Sequence, residues 1–369
     1  MIRSLPTIPI AGLFPQADSR PRRSLQVFPD SRALHAGPRL AAAVYRKAVI
    51  EALRRHQLGV AAALVNTRHG CTGFFRFDLY DGELNQFSVV GLEFSPGCCA
   101  LAINRHLLSH RLEFVVTRLL ATLLLLVTCR DVPSGRTWLN LDDFGTVPGL
   151  AFSEASADYR LIPDPIYLAA RGYRNTARHY LTHDIPWADR RKVAFWRGTT
   201  TGPRLDDDWR ALDRVRLCEL SSRDRDTFDV GFTDVVQMNA ADSAAVRASG
   251  LMRQFVPETK FIHYRYQIDI DGNTNSWPGL FLKLLTGSPV LKVDSRFGFR
   301  QWYYNRLKPW ENFVPVKSDL SDLLENLTWL VEHDDDAQRI GAAGRALARS
   351  MTFPAEIAVG RETLLTALS

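Results

Sequence analysis

The 369-residue chain is poor in sulfur, with five cysteines and four methionines. Cys71, Cys98, Cys99, Cys129 and Cys218 are odd in number and form no Cys-x-x-Cys pair, which argues against a disulfide scaffold and against a thiolate zinc site. A reducing compartment fits such a set. No apolar run reaches bilayer length: the longest, Leu119 to Val127, is about half of what a span requires. Pro6, Pro9, Pro15 and Pro21 interrupt what would have to be the apolar core of a secretion signal, so the expected location is the cytoplasm. Neither a Walker loop nor a Gly-x-Gly-x-x-Gly turn occurs, which weakens ATP- and NAD-binding readings. Repeats and heptad arrays are also missing.

Hydrophobic residues at 46% and charged residues at 23% make an ordinary globular balance, and the length suits two domains around a cleft. Charge is uneven. The first sixty residues carry ten Lys and Arg against three acids, a net of +7, which leaves the rest of the chain close to neutral. Residues 1–38 read as an extended basic, Pro-rich arm, and Arg39–His56 as an amphipathic helix with Arg46, Lys47, Arg54 and Arg55 on its outer face. That face fits plain solvation, and it fits peripheral contact with anionic lipid. A nucleic-acid partner is not expected, because the basic residues lack interleaved aromatics.

Further along, residues 101–129 read as one long buried helix leading through Pro133-Ser134-Gly135 to a strand at Thr137–Leu141. Beyond a boundary within Pro163–Pro186, strands are expected at Lys192–Arg197, Val215–Leu220, Tyr264–Ile270, Pro289–Val293 and Asn312–Val316. Helices are expected at Trp277–Leu285, Leu320–His333 and Asp335–Met351. This alternation is the pattern of an α/β protein whose parallel sheet is wrapped by helices, with ligands bound where loops leave the carboxyl ends of strands.

Three stretches could carry chemistry. Tyr266–Ser276 reads as a strand that ends in Asp271-Gly272 and opens a helix beyond Asn273, Asn275 and Ser276; free N–H groups and the helix dipole there suit a diphosphate. The same pattern also fits a plain turn with Ser276 as an N-cap. Phe195–Arg204 is a strand end followed by Gly198, Thr199 and more hydroxyls, flanked by Arg197 and Arg204, which could hold phosphate; a bland loop looks similar. Leu139–Gly145 places Asp142 and Asp143 after a strand, where a carboxylate can act as a general base or simply form a turn. Asp206-Asp207-Asp208 and Asp334-Asp335-Asp336 read as surface and helix-cap acids, with no His or Cys beside them to complete a metal site.

Phe195-Trp-Arg-Gly, Tyr264–Ser288 ending Lys-Leu-Leu-Thr-Gly-Ser, Val290-Leu-Lys-Val-Asp294, Leu307-Lys-Pro-Trp and Phe313–Leu320 together resemble glycosyltransferase family 90. Trp329-Leu and Ala343-Gly344 extend the resemblance, which covers roughly residues 138–350. The family includes capsule and lipopolysaccharide sugar transferases and animal protein O-glucosyltransferases. It implies a GT-B fold, two Rossmann-like domains facing a central cleft, with an acceptor domain over 39–175 and a nucleotide-sugar domain over 176–369. The implied chemistry is inverting transfer from a UDP-sugar without a metal or other cofactor. An Asn-x-x-Asp-aromatic motif falls on Asn140–Phe144 and makes Asp143 the implied base. The implied donor residues are Arg197, Gly198, Thr199, Arg204, Asp271, Gly272, Asn273, Asn275 and Ser276. One departure stands out: where animal and fungal members carry a phosphate-binding Arg two residues after the Ser, this chain has Pro278. Arg204, Arg197, Arg265 or the helix N-terminus must then neutralise the diphosphate. The Asn-Ser-Trp wording is closer to the bacterial branch and implies a surface-glycan or lipid-linked oligosaccharide acceptor at the inner membrane face. A protein acceptor, or a catalytically silent glycan- or nucleotide-binding protein on the same scaffold, is the alternative.

Overall fold

A computed structural model describes residues 36–86, 88–204 and 208–368. The basic arm thus falls almost wholly outside the described residues, as do Asp206 and Asp207. The chain divides into two compact units that do not follow its linear order. Described residues up to His183 join Phe297–Lys308 and the segment from Ala346, whereas Asp184–Arg296 joins Pro309–Arg345. Among the described residues no helix is long and apolar enough to cross a membrane. All five cysteines are free.

In the first unit, helices α1 (Ala36–Arg54), α2 (Leu58–Arg68) and α3 (Leu112–Leu126) accompany a six-stranded mixed sheet. Its strands are β1 (Phe75–Tyr80), β2 (Val89–Ser95), β3 (Cys98–Asn104), β4 (Gly135–Asn140), β5 (Leu150–Ala151) and β6 (Arg160–Leu161), in the order β1-β3-β2-β4-β5-β6. Two short helices, α4 (Pro165–Ala169) and α5 (Arg174–Thr182), follow. Alternation explains the sheet: Phe75 and Phe77, Val90, Leu92 and Phe94, and Cys99, Leu101 and Ile103 are buried on one side, leaving Arg76, Asp78 and Glu93 on the other. Helix α1 buries Val49, Ile50 and Leu53, with Lys47 and Arg54 exposed and Arg55 exposed just past its end, but Val44 also points outward at 61% exposure. The long helix expected over 101–129 is a correction. Its first residues form β3, paired antiparallel to β2 across Pro96-Gly97, and the helix starts only at Leu112. A short apolar run has the same composition in a buried strand and a buried helix, so periodicity could not separate them.

The second unit is built on a wholly parallel sheet. Its strands are β7 (Arg191–Thr199), β8 (Phe228–Asp234), β9 (Tyr264–Asp269), β10 (Val290–Val293) and β11 (Val314–Val316), in the order β11-β10-β9-β7-β8. Helices α6 (Asp213–Ser222), α7 (Ala240–Ala248), α8 (Pro278–Leu285), α9 (Leu323–Glu332) and α10 (Asp334–Ser350) connect and extend it. Its core joins Ala194, Trp196, Phe232, Ile268, Leu291 and Val314, apolar strands flanked on both faces as parallel sheets require. Val215–Leu220, expected as a strand, lies inside α6. Arg214, Leu217, Cys218 and Ser221 are buried at helical spacing, and the alternating Val215 and Leu217 misled the reading. The strand in that interval is β8.

The last helix, α11 (Phe353–Leu368), returns to the first unit. Glu356, 1% exposed, accepts hydrogen bonds from Trp302 Nε1 at 2.7 Å and from both terminal nitrogens of Arg306 at 2.6 and 3.1 Å. Tyr167 donates its hydroxyl to the Met351 carbonyl at 2.9 Å. These buried bonds tie three separate stretches of chain together.

Asp164 caps α4 by accepting from the Ile166 and Tyr167 amides, and Gln301 Nε2 reaches its other oxygen at 3.3 Å. Burial pushes this carboxyl up to about 6 despite the two amide bonds. A carboxyl whose proton is held more tightly in the folded state loses stability as pH rises through that value, by up to about 3 kcal/mol from this group. Asp164→Asn keeps the cap and never ionises. The variant's melting temperature relative to the native chain should therefore be higher at pH 8 than at pH 4.5; an equal difference at both pH values would show that Asp164 ionises without penalty.

Candidate functional site

Two clusters arise, one in each unit. In the first unit, β4 delivers a loop that carries Asp142 and Asp143. Asn140 organises it: its amide nitrogen donates to the Val147 and Leu150 carbonyls at 2.8 and 3.0 Å, and its oxygen accepts from the Thr146 and Val147 amides. Buried Glu154 accepts from the Gly145 amide at 3.0 Å. Gly145 is required here, since a Cβ would collide with the Tyr159 ring.

Helix α3 supplies the cations. Arg111, which precedes it, and Arg118, two turns later, share one face and flank the Phe114 ring at 4.4 and 3.9 Å. Arg111 meets Asp142 through both terminal nitrogens at 2.7 and 3.2 Å, and Asp142 also accepts from Ser88 Oγ and the Asp143 amide. Asp142 is thereby spent as a staple. Arg118, 7% exposed, donates to the Leu141 carbonyl at 2.8 Å and to Asp143 Oδ1 at 2.7 Å. The Asp143 side chain is 25% exposed while its direction is set by a buried guanidinium. Sequence reading missed both arginines. An Arg in the middle of an apolar helix needs a carboxylate partner, and that signal was available.

In the second unit, the order of strands reverses between β7 and β9, the two neighbours whose connections leave in opposite directions. Crevices in open α/β sheets form at that point, outside the carboxyl ends of the strands. Both donor stretches lie there. Gly198 and Thr199 end β7, and Asp271, Gly272, Asn273, Asn275 and Ser276 follow β9.

One side chain joins them, that of Arg214 in the first turn of α6. It donates to the Thr199 carbonyl at 3.1 Å and Thr201 Oγ1 at 2.6 Å on one side, and to the Asp271 and Ile270 carbonyls at 2.7 and 3.3 Å on the other. Burial pulls its pKa down to about 10, against the pull of Asp269 and Asp271, so it stays charged at neutral pH. A Cβ on Gly272 would lie 2.7 Å from Thr201 Oγ1 and 2.9 Å from the Arg214 guanidinium, so only glycine lets the loops close on it. Likewise, a Cβ on Gly198 would strike the Trp196 ring.

Beneath the β9 loop, Asp269 Oδ1 accepts from Ser276 Oγ at 2.7 Å and from Lys283 Nζ at 2.8 Å. Burial opposes ionisation of Asp269, but Lys283, Lys292 and Ser276 together hold its carboxyl below the ordinary range. Asp271 differs: burial dominates and raises it to about 6, although Lys292 and a hydrogen bond from Ser295 pull the other way. Ser276 Oγ also accepts from the Leu280 amide at 3.1 Å, which caps α8. Trp277 sits at φ +52°, a costly conformation for an aromatic residue immediately before proline.

The arginines named from the sequence part company. Arg197 is committed to the protein, donating to the Asp229 carboxylate, the Asp229 and Trp196 carbonyls, and the Gln254 carbonyl. Arg265 lies near the amino end of β9, away from the crevice loops, bound to Asp334 at 3.1 Å and the Trp187 carbonyl at 2.8 Å. Arg204 pairs with Asp242 at 3.1 Å, and its Nη2 is buried without a hydrogen-bond partner. Asp208 caps a short turn by accepting from the Arg210 amide, whereas Asp334, expected as a helix-cap acid, accepts from Trp187 Nε1 and Arg265. Among the described residues, no group of three or more His, Cys, Asp or Glu stands together as metal ligands.

Arg214→Lys tests the bridge. A compact ammonium cannot reach all four acceptors of a planar fork, and each acceptor left buried costs about 1–3 kcal/mol. Amide hydrogen exchange should accelerate in 199–204 and 270–276 together. Acceleration in one loop alone would show that Arg214 does not couple them.

The chain matches the family model of glycosyl transferase family 90 over residues 115–357. It is 31% identical to human protein O-glucosyltransferase 3 over 46% of this chain and 30% of that protein, and 28% identical to its rat counterpart over 68% and 50%. Zebrafish protein O-glucosyltransferase 2 is 30% identical over 44% of this chain and 30% of its own length. The chain thus spans half or less of these relatives. The solved structure of Anabaena Alr3699/HepE in complex with UDP-glucose aligns over 52% of each chain at 9% identity, with a TM-score of 0.32. With two thirds of its length matched by the family model, the chain belongs to glycosyltransferase family 90.

Proposed function

We propose that the protein is an inverting glycosyltransferase of GT-B architecture that moves a sugar from a UDP-sugar to a hydroxyl of a bacterial surface glycan, with Asp143 as the base. The observation that carries this reading is the meeting of both expected donor loops at the switch point of the parallel sheet, held around the Arg214 cation. A diphosphate leaving group carries charge that must be neutralised as the glycosidic bond to it breaks. Arg204, with one buried donor left unpaired, and the α8 amino terminus supply that in place of the arginine replaced by Pro278. No metal is required in this scheme. The acceptor hydroxyl gives its proton to Asp143, whose orientation by Arg118 keeps it ready for that transfer. Action at the inner membrane face, aided by the basic N-terminal residues, belongs to the same reading.

A second reading, transfer to a folded protein domain, is favoured by the relatives named protein O-glucosyltransferases. Presenting both acceptor classes to the enzyme separates the two.

The test is turnover of UDP-glucose, UDP-galactose, UDP-xylose and UDP-N-acetylglucosamine in the presence of EDTA. One donor should be consumed; activity that vanishes on chelation and returns with manganese would overturn the metal-free scheme. Asp143→Asn is expected to lower transfer on the order of a hundredfold or more with the dissociation constant for UDP unchanged. Asp142→Asn should cost far less, since its work is structural. Equal losses would place the base elsewhere.

For Arg204→Ala, calorimetry should show UDP binding weakened by about 1.5–3 kcal/mol, the range of a charge-assisted hydrogen bond. An unchanged constant would remove Arg204 from the donor site.

A further inference from the structure

The outward face of the first unit's sheet holds a trough of about 570 Å³ that the scheme above does not use. Its floor is made of small residues: Gly91 on β2, Ala100 and Ala102 on β3. Trp138 of β4 lies over Gly91, where a Cβ would come 3.3 Å from the indole, and packs against Tyr80 at 5.6 Å between ring centres. Trp138 remains 37% exposed although it is among the largest apolar residues of this sheet. Around it stand charged side chains paired only at the surface: Arg136 with Glu93 at 2.8 Å and Arg76 with Asp78 at 2.9 Å. Arg160 and Asp158 complete the rim.

This combination has one chemical match. A wide exposed aromatic takes the apolar C–H face of a pyranose ring, gaining area burial without directional demand. Carboxylates and guanidinium groups in the same trough accept from and donate to ring hydroxyls, while exposed ion pairs contribute little by themselves and can rearrange readily. Small floor residues let a flat ring approach the sheet. A phosphate-rich or nucleotide ligand fits less well, because Asp78, Glu93 and Asp158 balance the arginines. The trough also has a direction. Pro148 and Gly149 line it, and they end the loop that carries Asp143; along β4, Trp138 precedes Leu141 by roughly 10 Å.

We propose that this trough is a carbohydrate subsite, which binds an oligosaccharide segment of the acceptor away from the hydroxyl that is modified. It rests on the glycan-acceptor reading for its role, though not for its existence. The experiment is saturation-transfer NMR and calorimetry on the full chain with maltotetraose, cellotetraose, chitotetraose and core oligosaccharide released from lipopolysaccharide. At least one should bind, and Trp138→Ala should weaken it tenfold or more. Glu93→Gln, an exposed change that spares the fold, should weaken the same ligand several-fold. No binding by any of the four, or binding indifferent to both substitutions, would overturn the subsite. The two readings fail separately. Trp138-dependent binding without UDP-sugar turnover would keep the subsite and sink the transferase; turnover with binding indifferent to Trp138 would do the reverse.

Discussion

A guanidinium buried among carbonyls organises the second unit. Arg214 is 8% exposed and its four acceptors come from two loops far apart in sequence. Removing such a cation from water is costly unless every donor finds a partner. The partners must therefore stay where they are. Gly272 is glycine because that close approach leaves no room for a side chain. The crevice at the β7–β9 switch point exists in one arrangement because the charge inside it tolerates no other. Asp269, with Lys283 and Ser276, repeats the principle one layer below, locking the end of β9 to the start of α8.

The first unit applies the same rule with the roles reversed. There the cations stand on a rigid helix and the carboxylates on a loop. Arg111 and Arg118 share a helix face because seven residues make nearly two turns, and each takes one member of the Asp pair. Adjacent aspartates in sequence thereby acquire different work. Asp142 is saturated by Arg111, Ser88 and a backbone amide, while Asp143 has a side chain one quarter exposed.

Much of this was legible. Tyr264–Ile270 reads as a strand because its apolar residues alternate with Arg265, Gln267 and Asp269, and Pro289–Val293 because it is short and β-branched, while the Asp-Gly turn after β9 announced a loop leaving a carboxyl end. The Asn140–Asp143 spacing showed through as a motif, although its physical reason, a fully bonded Asn140 that folds the loop, requires coordinates. What stayed hidden was long-range. Arg214 immediately precedes Val215–Leu220, whose apolar alternation resembles a strand, so its place in a helix was invisible. Arg197 reads as a phosphate ligand from its neighbours in sequence, and only the fold shows its pairing with Asp229, some thirty residues away in β8. Nothing local in 297–308 or 346–368 marks these stretches as parts of the first unit.

That return of the chain bears on synthesis. Glu356 supplies the buried acceptor for Trp302 and Arg306, and α11 packs Gly360 against Leu125 of α3, so the first unit lacks this helix until the strands of the second unit have left the ribosome. The second unit's strands are translated in the meantime. An unfinished apolar surface on α3 must wait, exposed, for a partner more than two hundred residues downstream, the situation in which chains of this size recruit chaperones or aggregate.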